Sequence, residues 1–375
     1  MEGDNFFTAS CSLNNCLVIS EIIIYFLNLK LISESLSNFE PVTLPTIKIT
    51  LKISLCAYFL LLERFIVLYI NNPSHDPYYN QALEEYIFEN KTEDYILLWR
   101  NSPAVICGKF QNLFAEVYVA AAKKSNVALI RRISGGGTVY HDLGNINYSI
   151  IRNVDSSNVD YAEFLNPVIK VLKEVGVDAN IIAGNGIGIG DKKISGSAQR
   201  IVKGRVLHHG TLLFSADLNR LKSLANGHRE YFTSSGTASV PWPVTNISDY
   251  MDSKMTVDEF YKLLSSAFKN EFPGEEGMLS EIEIGEIKAL AEGKYRSFEW
   301  NFGKGPKVKF EREVMISGDS CRISYEVIKG NIKNVMTVPE IIELNLALEG
   351  LKSEISEMTE ALVDKGFGDL TEYII

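Results

Sequence analysis

Arg131-Arg132-Ile133-Ser134-Gly135-Gly136-Gly137-Thr138-Val139-Tyr140-His141-Asp142-Leu143-Gly144-Asn145 is the stretch on which the reading of this chain turns. Strand-like apolar segments flank it, at Val127 to Ile130 and Asn147 to Ile151. Three consecutive glycines let backbone N–H groups approach a ligand with no side chain between, and Arg131 and Arg132 supply countercharge for an anion. A phosphate-bearing ligand suits that combination. A plain hairpin fits as well, its glycines serving geometry and its arginines solvated. The segment is not a P-loop, since GxxxxGK[ST] is absent, and the alternating glycines from Gly184 to Gly190 do not make GxGxxG.

Two further clusters follow. Asp191-Lys192-Lys193-Ile194-Ser195-Gly196-Ser197-Ala198-Gln199-Arg200 sets lysines after a glycine-rich loop and before small polar residues. A lysine ammonium is a compact charge that sits against a phosphate or a developing acyl oxyanion, although a solvated loop lysine is the commoner case. Leu207-His208-His209-Gly210-Thr211-Leu212-Leu213-Phe214 reads as a strand. Side chains alternate across a strand, so His208 and His209 face opposite sides and make a poor pair of metal ligands. No GxSxG elbow surrounds any serine, which argues against covalent serine chemistry.

Outward from these clusters the pattern is mixed. Strands are predicted at Phe65 to Ile70, Tyr95 to Trp99, Ala104 to Cys107 and Arg205 to Phe214, and helices at Tyr79 to Phe88 and at Tyr161 to Val175, ended by Gly176. With no strict βαβ rhythm, this is an α+β fold and not a doubly wound sheet. Phe272-Pro273-Gly274 breaks a helix and opens a smaller unit with strands at Lys307 to Ile316 and Arg322 to Ile328 and one charged helix from Pro339 to Val363. Three parts are expected: 1–63 as a dispensable apolar extension, 64–250 as the catalytic domain and 251–375 as a small accessory domain. In the extension, the runs Cys16 to Ile32 and Leu51 to Leu62 are too interrupted or too short for a membrane span, so no membrane partner is expected.

With 375 residues, 46% hydrophobic and 22% charged, the chain can bury a sizeable core. A net charge of -10 argues against nucleic acid held by general electrostatics. Its five cysteines, odd in number and free of any CxxC pair, disfavour a disulfide framework and a zinc site and point to a reducing compartment, and a cytoplasmic location is expected because no convincing targeting segment is seen.

In this order the clusters resemble the lipoate-protein ligase A family: Arg132 to Asn145, a Lys-x-Ser-Gly-Ser-Ala loop at Lys193 to Ala198, and His-His-Gly-Thr at His208 to Thr211. Asn80-x-Ala82-x-Glu84-Glu85, Trp99-Arg100-Asn101, Gln111-Asn112, Val244-Thr245-Asn246 and Lys294-Tyr295 through Lys304 are weaker matches. The resemblance implies a mixed-sheet biotin/lipoate ligase catalytic domain, similar to class II aminoacyl-tRNA synthetases, with a smaller α+β C-terminal domain. It implies that Arg132, Gly137, Thr138, Val139 and Tyr140 hold ATP or the acyl-adenylate, that Lys193 contacts phosphate and acyl carbonyl and is catalytic, and that His141 and His209 join Lys193 at the lipoate. Lipoate would be activated with ATP, with Mg²⁺ offsetting the crowded charge, and passed to lipoyl domains of 2-oxoacid dehydrogenase complexes and the glycine cleavage H protein. A transferase of the same fold would instead need an exposed, activated cysteine; a silent paralogue would only bind. The chain departs from the family at Gly184-Asn185-Gly186, where Arg-Asn-Asp is common, and at Pro241-Trp242-Pro243.

Overall fold

In the computed structural model, which describes residues 67–154, 159–225, 229–251 and 254–374, strand β1 (Val67–Asn71) leads into α1 (Pro77–Asn90), β2 (Asp94–Trp99) and β3 (Ala104–Cys107). The short helices α2 (Leu113–Glu116) and α3 (Val119–Lys124) precede β4 (Ala128–Arg131), β5 (Val139–His141) and β6 (Asn145–Asn153). After α4 (Tyr161–Glu174) come β7 (Asn180–Ile182), β8 (Gly186–Ile189), β9 (Lys192–Val202), β10 (Arg205–Leu213), α5 (Leu218–Ala225) and β11 (Phe232–Ser234). The remainder is α6 (Val257–Glu271), β12 (Gly274–Gly277), α7 (Glu281–Leu290), strands β13 (Val308–Ile316), β14 (Asp319–Ile328) and β15 (Asn331–Val338), and helices α8 (Ile342–Leu348), α9 (Ile355–Asp364) and α10 (Thr371–Ile374). The predicted extension, with its apolar runs and Cys11, Cys16 and Cys56, lies outside the described residues. Among those described, no helix is long and apolar enough to cross a membrane.

Local chemistry places the helix starts. Asp76 accepts from the Tyr78 N–H and Pro77 opens α1, while Thr256 with Glu259 and Ser280 with Glu283 form capping boxes on α6 and α7. Gly176, at a φ of +87°, ends α4 as its position in the sequence predicts.

The strands form a mixed α+β architecture of three sheets. The largest runs β12-β1-β2-β6-β10-β9-β8-β7, a second β4-β3-β5, and a third β11-β13-β14-β15. In the large sheet β1 pairs in parallel with β2 and β12, and β6 pairs antiparallel with β2 and β10. One face buries Ile96, Tyr148, Ile150, Val206 and Leu212 against α4 and α6; the other meets α1, α7 and the β4-β3-β5 sheet.

Three expectations change. The position 250/251 is crossed in both directions: β11 pairs with β13, while Phe260, Leu264 and Phe268 of α6 and strand β12 complete the large sheet's layer. The helix predicted from Pro339 to Val363 is two helices, because Gly350 takes a φ of +89° and Lys352 bridges back to Asn331. The Lys193 to Ala198 segment is strand β9, paired with β8 and β10, and not a loop.

Candidate functional site

Strand register puts the chemistry on one face of the large sheet. His209 lies opposite Ala198 and Ser149, and Trp99 opposite Asn147, so these residues share the face that looks at α1. His208 points the other way, stacked on Phe164 at 5.0 Å between ring centres and bonded to Gln199 at 3.0 Å. The opposed histidines are as the alternation predicts.

The two adjacent arginines divide their roles. Arg131 is fully buried and donates to the carbonyls of Gly108, Gln111, Trp300 and Asn301 at 2.6 to 3.1 Å, so it braces the fold and is not a ligand's countercharge. Arg132 donates Nε–H to Ser134 Oγ at 2.9 Å and its terminal nitrogens to the carbonyls of Ile106, Gly135 and Gly137. None of these acceptors is anionic. Burial pulls the Arg132 pKa down to about 10, still a cation at neutral pH, and no ion pair offsets it among the described residues. The glycine turn above it is sterically demanded, since a Cβ on Gly108 would lie 2.0 Å from the Gly136 carbonyl oxygen.

From Arg132 a chain of hydrogen bonds runs into the sheet. Ser134 Oγ–H faces His209 Nε2 at 2.6 Å, and His209 Nδ1–H faces both Glu84 oxygens at 2.8 and 2.9 Å. Ser149 donates to the same carboxylate at 2.5 Å and accepts from the Trp99 indole at 3.1 Å. Both His209 nitrogens are therefore spent, so the expected lipoate contact of His209 is left to its ring faces. The order Glu84, His209, Ser134 resembles a nucleophile triad. Ser134, however, is 1% exposed and already accepts from Arg132, which suits an orienting relay.

The other cradle residues lie along β5. Val139 and His141 share one side, and Tyr140 turns into the opposite core with Val105 and Leu129, where burial raises its pKa to about 12. Its ring is thus not available to a nucleotide, contrary to expectation. Thr138 donates its N–H to Ser239 Oγ at 2.9 Å and its hydroxyl to Gln111 Oε1 at 2.8 Å. Gln111 in turn holds Thr237 and Ser239, so the 237–239 segment is fastened over the glycine turn. His141 is 4% exposed and bonded through Nδ1 to Asn101 at 3.1 Å. Burial first, then Arg132 and His209, push its pKa down to about 3, so it is neutral.

Lys193 is half-buried, and desolvation lowers its pKa. Its backbone pairs with Pro243 and Thr245, which gives the Val244-Thr245 match its place, and Asn246 ties Ala216 through both backbone groups. Its side chain lies across two glycines: a Cβ at Gly186 would fall 2.8 Å from Lys193 Cε, and one at Gly196 3.5 Å from Nζ. Gly196 and Ala198 share a face, and Ala198 Cβ is 3.4 Å from where a Gly136 Cβ would be. The ammonium and the glycine turn thus border one space. Neither an ion pair nor a hydrogen bond engages Nζ among the described residues. With a glycine at 186, the Lys193 chain lies directly over the backbone there.

Sequence reading treated Asn80, Glu84 and Asn101 only as matches and gave Ser134 no role of its own. The available signal was polarity in the wrong place: Asn80 and Glu84 are one helical turn apart among Ala82, Leu83 and Ile87, and all are buried. Next to them Glu85 holds Lys294 at 2.6 Å and the Tyr295 hydroxyl at 2.7 Å.

Comparison with known proteins agrees with this geometry. Residues 76–269 match the family described as lipoyl protein ligase A/B catalytic domain. Lipoate–protein ligase 1 of Staphylococcus aureus is 34% identical over 81% of this chain and 96% of its own length. Among solved structures, a bipartite lipoate protein ligase from Thermoplasma acidophilum, studied with its E2 lipoyl domain, superposes with a TM-score of 0.56 at 26% identity, over 64% of this chain and 97% of the other. A lipoate-protein ligase A bound with ATP gives 0.53 at 28%, over 64% and 98%.

Proposed function

The chain belongs to the lipoyl protein ligase A/B family, and on that premise we propose that it is an ATP-dependent lipoate-protein ligase. It joins lipoate to AMP and then passes the lipoyl group to a lysine of a lipoyl domain. The observation that carries this reading is the Lys193 ammonium, a half-buried cation without an ion-pair partner among the described residues, set beside the glycine turn that Arg132 supports.

In the first step a lipoate carboxylate oxygen attacks the α-phosphorus of ATP, and the bond to pyrophosphate breaks. Lys193 and Arg132, neither in a direct ion pair among the described residues, favour the crowded negative charge, with Gly137, Thr138, Val139 and Tyr140 offering backbone to the nucleotide. In the second step a neutral lysine amine attacks the acyl carbon, the bond to AMP breaks, and the new amide nitrogen gives up its proton. Lys193 then donates to the developing oxyanion. No cluster of three His, Cys, Asp or Glu side chains fit for a metal occurs among the described residues. Mg²⁺ is read as arriving on the phosphates of ATP, as part of the substrate, since it keeps several waters and is held largely by phosphate oxygens.

The acceptors we propose are lipoyl domains of 2-oxoacid dehydrogenase complexes and the glycine cleavage H protein, and the β11-β13-β14-β15 sheet with α8 to α10 is read as the accessory domain. Free, buried Cys107 and Cys321 suit a reducing, cytoplasmic setting. They do not suit a cysteine transferase, since burial raises both thiols. Lipoate-dependent exchange of pyrophosphate into ATP tests the proposal: a ligase shows it, whereas a cysteine transferase or silent binder gives none, and its absence would sink the reading.

A further inference from the structure

Three asparagines and a histidine form a directional chain on the reactive face. Asn72 Oδ1 accepts from the Ser74 N–H at 3.1 Å, which turns Asn72 Nδ2 toward Asn80 Oδ1 at 2.8 Å. Asn80 Nδ2 faces the carbonyls of Ser74 and Arg100 at 3.1 and 3.0 Å, so it too has one orientation, and it donates onward to Asn101 Oδ1 at 2.8 Å. That leaves Asn101 Nδ2 as the donor to His141 Nδ1 at 3.1 Å. Backbone groups thus fix the Asn72 and Asn80 amides, Asn80 fixes Asn101, and Nδ1 is an acceptor with no proton of its own. Neutral His141 must carry its proton on Nε2. That atom is buried and has no partner among the described residues, although unpaired buried donors are costly and rare.

The donor's position says what it meets. His141 stands edge-on to Trp99, ring centres 5.9 Å apart. Trp99 is on β2, three strands from β9 in the order β2-β6-β10-β9, about 14 Å across at ordinary strand spacing, and Lys193 is offset further along β9, before the Ser197–Val202 stretch that pairs with β10. A substrate whose carboxyl group lies at Lys193 brings its far end, and not its carboxylate, to this ring. A dithiolane sulfur is a weak neutral acceptor, whereas an alkyl terminus offers none.

We propose that Asn72, Asn80 and Asn101 are positioning residues that lock His141 with its proton on Nε2, and that this donor reads a ring sulfur at the tail of the acyl substrate, favouring lipoate over octanoate. The inference rests on the ligase reading and deepens it.

Histidine-selective ¹⁵N labelling of the full chain, with two-bond ¹H–¹⁵N correlation, reports which nitrogen of each of the five histidines bears the proton; His141→Gln assigns the signal. The expected proton is on Nε2. In Asn101→Asp, nearly isosteric but an acceptor, it moves to Nδ1, and the kcat/KM ratio of lipoate to octanoate in pyrophosphate exchange falls about three- to tenfold. Where that variant does not fold, Asn101→Leu releases Nδ1 and gives a tautomer mixture with a smaller fall in the same ratio. A proton on Nδ1 in the unaltered chain overturns the proposal without any variant. So does a moved proton with an unmoved ratio. Failure of the unaltered chain to exchange pyrophosphate with either acid overturns the ligase reading instead, and the imidazole spectrum is read independently of it.

Discussion

His208 and His209 are joined by one peptide bond and serve opposite faces of the same sheet. Under α4 and α6, His208 is held among Phe164, Tyr161 and Tyr148; under α1 and the glycine turn, His209 links a carboxylate to a hydroxyl. Each ring is almost wholly buried. The first face is packed mainly with hydrocarbon and aromatic rings and supplies stability, while the second buries Glu84, Ser149, Asn147 and Thr211, polar groups that a fold tolerates only when each is bonded or kept for a ligand. The difference teaches where to look for function: on the face where burial and polarity coincide.

The contrast can be broken most sharply at Lys193. Lys193→Ala should lower pyrophosphate exchange by about 10² to 10³ and leave thermal unfolding unchanged, since the side chain forms no bond in the described structure; near-normal turnover would refute its assigned role. Glu84→Gln is next. It replaces an acceptor of three hydrogen bonds by an amide that must turn a donor toward His209 or Ser149, and it should cost about 1 to 3 kcal/mol in urea unfolding as well as activity. A loss of activity with no loss of stability would mean that Glu84 touches substrate and does not brace the relay.

The dry face offers a subtler test. Burial holds the His208 pKa down at about 3, against an unfolded value of about 6.5. The unfolded chain therefore binds a proton that the native state refuses. Stability contributed at this site is complete above pH 6.5 and is lost as pH falls from there toward 3. His208→Phe should flatten the stability profile across that window without shifting KM for lipoate; an unchanged acid limb would show that the depression is not real. The smallest effect is expected at Cys107, which lies on neither face: Cys107→Ala should transfer lipoate at the unaltered rate, and a large loss would revive the thioester alternative.

Much of this was legible in the chain itself. Caps at Asp76, Thr256 and Ser280, the stop at Gly176 and the opposite facing of His208 and His209 are local consequences of backbone geometry, set by residues one to four apart. The same holds for the glycine run as a turn. Partners far along the chain were not legible. Nothing in Arg131-Arg132 tells that Arg131 will spend its guanidinium on Trp300 and Asn301 while Arg132 props the turn, because those acceptors arrive from 169 and 170 residues away. Likewise His209 meets Glu84 across 125 residues, and Asn80 meets Asn101 only once α1 packs beside the loop that follows β2.

By itself, then, the sequence determined an α+β chain with a glycine turn beside two arginines, a lysine after a glycine-rich loop and a histidine on each face of one strand. Tertiary structure alone decided that Arg131 binds carbonyls from distant segments while Arg132 props the glycine turn, which histidine nitrogens are bonded among the described residues, and that the Lys193 chain lies over Gly186 and Gly196. The physical reason is that strand alternation and helix capping are fixed by covalent geometry, whereas the identity of a buried group's hydrogen-bond partner is settled only when separate segments close over it and exclude water.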